Sequence, residues 1–234
     1  MIREHFTFRE TITTILAEST EDVDVAKKAM LAVRSELEEY IHSDPYFQLT
    51  YEPLDISSQA PLIAQRMAVA GREAGVGPMA AVAGSIAWAG VEAMKENGAN
   101  FGLIDNGGDI ALISDKDISV GIYAGKAESS GKFAFVIPPQ SEILGICTSS
   151  ATVGPSVSFG KADAVVCFSN NPSNADAWAT SLCNRISENN FTDIIPKNSS
   201  LIGVYAVIDN WIGMWGALPP IVSAKVDTNL ITKE

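Results

Sequence analysis

The chain has 234 residues, 47% of them apolar and 19% charged, so it is long enough to bury a substantial core and too apolar to be disordered. Its 16 Lys and Arg against 28 Asp and Glu give a formal net charge of −12, which repels nucleic-acid phosphates and anionic membrane surfaces and leaves room for a cation site. Cys147, Cys167 and Cys183 form no C-x-x-C pair, "MIREHFTFRE" carries no apolar leader, and the uncharged run over residues 76–91 falls short of a membrane span; the expectation is a cytoplasmic chain with free thiols and no nucleic-acid or membrane partner.

In chain order, "FTFRETITTILAES" alternates and is rich in Thr, Ile and Phe, which predicts one or two opening strands. Thr20 then leads into a helix with an acidic first turn and an apolar stripe of Ala26, Met30, Val33, Leu37, Tyr40 and Ile41, with Pro45 marking the exit. A second helix starts near Pro61 in "APLIAQRMAVAGREAG". A third starts at Pro78, runs through "MAAVAGSIAWAGVEAMKE" and stops at Asn97-Gly98. The third is small or apolar on all sides, which predicts a buried helix that other backbones approach closely; in an assembly protein such a helix would serve a homodimer. From Phe101 the period changes to two: "FGLID", "DIALIS", "ISVGIYA", "KFAFVIP", "EILGICTS" and "DAVVCFS" read as strands, and "LIGVYAVID" and "WIGMWGAL" pair around Asp209-Asn210. Pairing between neighbours in sequence predicts an α+β or mixed α/β fold, with a mixed, largely antiparallel sheet, packed helices and one domain over residues 1–234.

Three stretches can carry chemistry. Asn106-Gly107-Gly108-Asp109 joins two short strands; Gly-Gly supplies the positive φ of a tight hairpin, and the same glycines let a phosphate or ring approach the backbone, flanked by Asn106 and Asp109. Thr148, Ser149, Ser150 and Thr152, followed by Gly154-Pro155, end a strand with hydroxyls that either bond the local backbone or bind phosphoryl or carbonyl oxygens. In "NPSNADAWATSLCNRI", Ala175, Trp178, Ala179, Leu182 and Ile186 form the core stripe of a helix, and Ser173 with Asp176 fits a capping box. Asp176 and Thr180 lie four residues apart at the edge of that stripe, where two oxygens can chelate a hard cation; Mg²⁺ is the natural candidate, since it takes one or two carboxylates and leaves phosphate and water to complete its shell. Zinc spacing, a Walker loop and a Rossmann fingerprint are absent, and His5 and His42 lie far in sequence from every candidate.

Taken together, "GPMAAVAGSIAWAGVEAMKENGANFGLIDNGGDIAL", "GICTSS" and "ADAWATSL" resemble the helix, N-x-G-G-[DE] turn, Thr-Ser-Gly strand end and A-D-A-x-A-T motif of the ApbE-like superfamily, whose best-known members are flavin transferases. "DPYFQLTYEPL", "GVGPMAAVAG", "NGGDI", "FGKADAVV" and "NADAWATSL" resemble, more closely and over most of the chain, the UPF0280 group of that superfamily. The resemblance implies an ApbE-like fold with a cleft near the glycine turn and Mg²⁺ on Asp176 and Thr180. It also implies a ligand such as FAD lying along Asn106, Gly107, Gly108 and Asp109, with its anionic end near Thr148, Ser149 and Ser150. The sequence departs from the flavin-transferase pattern twice: Gly77-Pro78-Met79-Ala80-Ala81 stands where those enzymes carry Lys-Gly-Tyr, and their His-Ile-x-Asp-Pro segment has no counterpart. Three readings follow: a Mg²⁺-dependent phosphoryl- or flavinyl-transfer enzyme, a non-catalytic flavin or small-molecule binding module, and a structural or assembly protein that keeps only the fold.

Overall fold

In the computed structural model, which describes residues 1–151, 160–227 and 231–232, the period-two segments form two antiparallel sheets. The larger contains β1 (Ile2–Phe8), β2 (Thr11–Ala17), β3 (Gly102–Asn106), β4 (Asp109–Ser114), β7 (Gln140–Ser149), β8 (Ala164–Ser169), β9 (Leu201–Ile208) and β10 (Trp211–Gly216), and its spatial order follows the chain. The smaller is made of β5 (Ile118–Gly121), β6 (Phe133–Ile137) and β11 (Ile221–Ser223), in the order β11-β6-β5. Every recorded strand pair is antiparallel, so the parallel component of the expected mixed sheet is not seen among the described residues. The tight turns of β1–β2, β3–β4 and β9–β10 leave no length for the crossover that a parallel pair needs, and the long connections through the helices, from β2 to β3 and from β8 to β9, also return the chain antiparallel. The short β11 was not legible in the sequence; it pairs with β6 across a wide separation along the chain.

The helices are α1 (Thr20–Ser43), the single turn α2 (Tyr46–Leu49), α3 (Leu62–Ala74), α4 (Val82–Glu96) and α5 (Pro172–Arg185), with a 3₁₀ turn at Pro78–Ala81. Ser19 caps α1 by accepting from the Asp22 N–H, and Gly75 ends α3 in the left-handed conformation. The expected start at Pro78 is that 3₁₀ turn; regular α-helix begins at Val82.

Alternation along the central strands sorts side chains onto two cores. Ile15, Ile104, Ala111, Cys147, Val165, Cys167 and Val204 meet the helices, whereas Leu103, Leu112, Ile146, Val166, Phe168 and Tyr205 meet the small sheet. The layers run helices, eight-stranded sheet, three-stranded sheet. On the helical side α4 lies against α1, α5, β3 and β4, while α5 lies against β7 and β8 and under α3. The small residues of α4 are used within the chain: a Cβ at Gly84 would lie 2.6 Å from the Pro172 carbonyl oxygen and 2.9 Å from the Asp176 Cβ. At Gly84 that stripe is taken up by α5. Among the described residues no single helix is long and apolar enough to cross a membrane.

Candidate functional site

The glycine turn forms as its residues dictate. Asn106 pairs with Asp109 across β3 and β4, and the two-residue loop between them has Gly107 at φ 70° and Gly108 at φ 104°, a conformation that favours glycine at both positions. Asp105 completes the turn by accepting from the Gly108 N–H at 2.8 Å. The Gly108 amide is thus already engaged, and only part of the anticipated backbone cradle is open; a Cβ at Gly107 would have nothing within 4 Å.

Alternation puts Asn106 and Asp109 on the helical face of the sheet, where the first turn of α4 meets them. The Asn106 amide donates to the Ala83 carbonyl at 3.1 Å. Helix α4 lacks a side-chain cap of its own, and the carboxylate of Asp176 supplies one from α5, with its Oδ2 accepting from the Gly84 N–H at 2.8 Å. The capping expected of Asp176 is therefore real but serves a different helix. The cap of α5 itself is Asn171, whose side chain accepts from the Asn174 N–H, and Ser173 instead shares a hydrogen bond with Ser85 at 2.7 Å. Nor does Asp176 sit at the edge of an apolar stripe, because residues 172–179 are buried all round.

Asp109 stands within electrostatic reach of Asp176, although 67 residues separate them in sequence. Burial pushes the Asp176 carboxyl up to about 7, against the opposing pull of the Gly84 and Ala83 N–H groups. Asp109, partly exposed yet densely surrounded by protein, is pushed well above the usual carboxylate range, first by loss of solvent and then by the charges of Asp176 and Asp105. The Thr148 N–H, 3.2 Å from Asp109 Oδ1, opposes that shift only in part. Neither carboxylate joins an ion pair among the described residues. Beside them the Cys147 thiol is buried, and desolvation and the two carboxylates push it well above its ordinary range, so it stays protonated.

The structure thus brings Asn106, Asp109 and Asp176 to one place at the start of α4. Thr180 follows one turn along α5 and is partly buried. Ser149 and Ser150 are buried, and alternation turns Ser149 to the helical face and Thr148 away from it. Thr152 and Gly154-Pro155 lie outside the described residues. Sequence reasoning missed Asp105 and Cys147. The spacing of Asp105 to Gly108 within "DNGG" is an Asx-turn signal, whereas nothing in the local pattern around Cys147 distinguishes it from a core residue. A groove of about 610 Å³ on the outer side of α4, lined by Trp88, Glu92, Lys95 and Glu142, contains none of these residues.

The donor set is oxygen-rich, which suits a hard cation. Among the described residues no group of three or more His, Cys, Asp or Glu side chains converges as a metal cage, so a cation here would draw on one or two carboxylates and on oxygens of its ligand and of water. That is the coordination habit of Mg²⁺, and the pair Asp109 and Asp176 fits it.

A family model with the description AbpE bacteria matches residues 3–201. A UPF0280 protein of Methanocorpusculum labreanum is 61% identical over 100% of both chains. The flavin transferase ApbE from Vibrio cholerae superposes with a TM-score of 0.63 at 12% identity, covering 92% of this chain and 96% of that one. The apo form of the flavinyl transferase ApbE from Pseudomonas stutzeri superposes with a TM-score of 0.58 at 11% identity, covering 100% and 98%. At these identities the solved structures speak for the fold.

Proposed function

The chain belongs to the UPF0280 family of the ApbE-like superfamily, and from that membership we propose that it binds a nucleotide or flavin-like phosphorylated ligand with Mg²⁺ between the glycine turn and α5. One observation carries this reading. Two carboxylates from distant parts of the chain, Asp109 and Asp176, lie within electrostatic reach of each other near the N-terminus of α4, and neither joins an ion pair among the described residues. Such a pair is costly unless protons or a cation neutralise it.

In this reading Asp176, held by the Gly84 N–H, and Asp109, held by the Thr148 N–H, present their remaining lone pairs to the cation, with the Thr180 hydroxyl one turn away. Bound Mg²⁺ would supply charge neutralisation at a cleaving pyrophosphate. The open side of Gly107 admits a ring or phosphate close to the backbone, and Ser149, on the helical face of β7, would turn its hydroxyl to the ligand's oxygens. The corresponding reaction is transfer or cleavage at a phosphoryl bond, with FAD as the first substrate to try.

A second reading, a binding module without turnover, is favoured by a separate observation. His5 lies on β1 and His42 near the end of α1, so the site has carboxyls but no imidazole to take a proton from an acceptor alcohol. Incubation with FAD and Mg²⁺, following melting temperature and release of FMN and AMP, separates the readings. Products that disappear in Asp176→Asn and Asp109→Asn support transfer. A Mg²⁺-dependent rise in melting temperature without products supports the module. Absence of both effects removes the ligand reading and leaves a protein that keeps only the fold. Asn at 176 retains an oxygen for the Gly84 N–H, so loss of the charge is tested apart from loss of the cap.

A further inference from the structure

On the sheet face opposite the helices, His5 pairs with Thr14 and Thr14 pairs with Asp105, which sets three polar side chains in one cross-strand row. Thr232, far along the chain, reaches this row. Thr232, only 6% exposed, donates from its hydroxyl to Asp105 Oδ2 at 2.6 Å and lies 2.8 Å from the Thr14 hydroxyl, which is itself 3.1 Å from His5 Nδ1. A hydroxyl has one proton to give. With Thr232 donating to the Asp105 carboxylate, Thr14 must donate to Thr232 and His5 Nδ1 must donate to Thr14. The other Asp105 oxygen accepts from the Gly108 N–H at 2.8 Å, so the directed chain ends on the glycine turn.

We infer that Thr232 is a positioning residue for that turn. By holding one oxygen of Asp105 it aims the other at the Gly108 N–H, and this sets the turn that carries Asp109 within electrostatic reach of Asp176. Thr232 and the ligand site are thereby coupled across the thickness of the sheet. The functional half of this inference rests on the ligand reading above; the structural half does not.

The test uses the full chain as wild type, Thr232→Val and Thr232→Ser. Amide exchange at Gly108 is followed by NMR without ligand, and affinity for FAD in the presence of Mg²⁺ is followed by flavin fluorescence. Val keeps the volume and removes the donor, so Gly108 exchange should quicken roughly tenfold and FAD affinity fall roughly tenfold, the usual scale for one hydrogen bond to a charged group. Ser restores the hydroxyl and should restore both. Exchange at Gly108 unchanged by Val, or a Ser variant that behaves like Val, overturns the positioning role. Faster exchange with unchanged affinity overturns the coupling. If the wild type binds no FAD while Gly108 exchange still responds to Val and recovers with Ser, the positioning role stands and the ligand reading falls.

Discussion

Asp176 shows how one side chain can satisfy a structural rule and a chemical one together. It caps α4 and so has a reason to be there without any ligand, yet burial holds its carboxyl near 7, far from the 3.8 it would have in the open chain. Between those values the native state keeps a proton that the unfolded state has released. Its contribution to stability is therefore full below about pH 4 and is lost as pH rises through about 7. Asp109 is shifted in the same direction and adds the same sign. Denaturant titrations at a series of pH values should show the unfolding free energy falling from about pH 4 to about pH 8, and Asp176→Asn should flatten that slope. A bound cation replaces the proton, so Mg²⁺ should raise the melting temperature more at pH 8 than at pH 6. Equal Mg²⁺ effects at both values would argue against the carboxylates as its ligands.

Between elements, the contact that sets the site is the close approach of α5 to the start of α4. Gly84 permits it, and Gly84→Ala should cost about 1–3 kcal/mol in chemical denaturation, because the new Cβ meets Pro172 backbone and the Asp176 Cβ, neither of which can swing aside. The same variant should weaken Mg²⁺ binding by displacing Asp176. A second tie joins α3 to α5: Glu73 accepts from Asn174 Nδ2 at 2.8 Å, Trp178 Nε1 at 3.1 Å and Ser200 Oγ at 2.6 Å. Desolvation would raise the Glu73 carboxyl, but these hydrogen bonds, led by Ser200, outweigh it and hold the group below its usual range. This contribution is present above the ordinary Glu range and is lost as pH falls through the lowered value. Because Glu73 is exposed, Glu73→Gln should cost only about 1 kcal/mol, read as a shift in denaturation midpoint at pH 7 that shrinks at pH 3.

Across the whole molecule, the two faces of the large sheet separate the candidate site from the second core. Phe135 on β6 packs edge-to-face on Phe168 at 5.0 Å and on Tyr205 at 5.4 Å, beneath the small sheet. Phe135→Ala should lower stability by about 3–5 kcal/mol yet leave Mg²⁺ and FAD affinity unchanged at temperatures where the variant stays folded. Much of this architecture was legible in the sequence. The stripe of Ala26, Met30 and Leu37, the small-residue character of α4, the Gly107-Gly108 turn and the alternation of β7 and β8 each depend on residues adjacent along the chain, and local patterning reports on such neighbours directly. The partner of Asp176 was not legible. It is the Gly84 N–H, 92 residues away, and a backbone group carries no mark in a sequence. The same holds for Thr232 over Asp105, 127 residues apart, and for the edge strand β11 beside β6. By itself the sequence determined most of the longer helices and strands and where the chain can turn tightly, because those follow from side-chain periodicity and glycine conformation. Only the tertiary structure decided which carboxylates come within electrostatic reach of one another and which amides they hold, because burial and charge proximity arise when segments far apart in the chain are packed together.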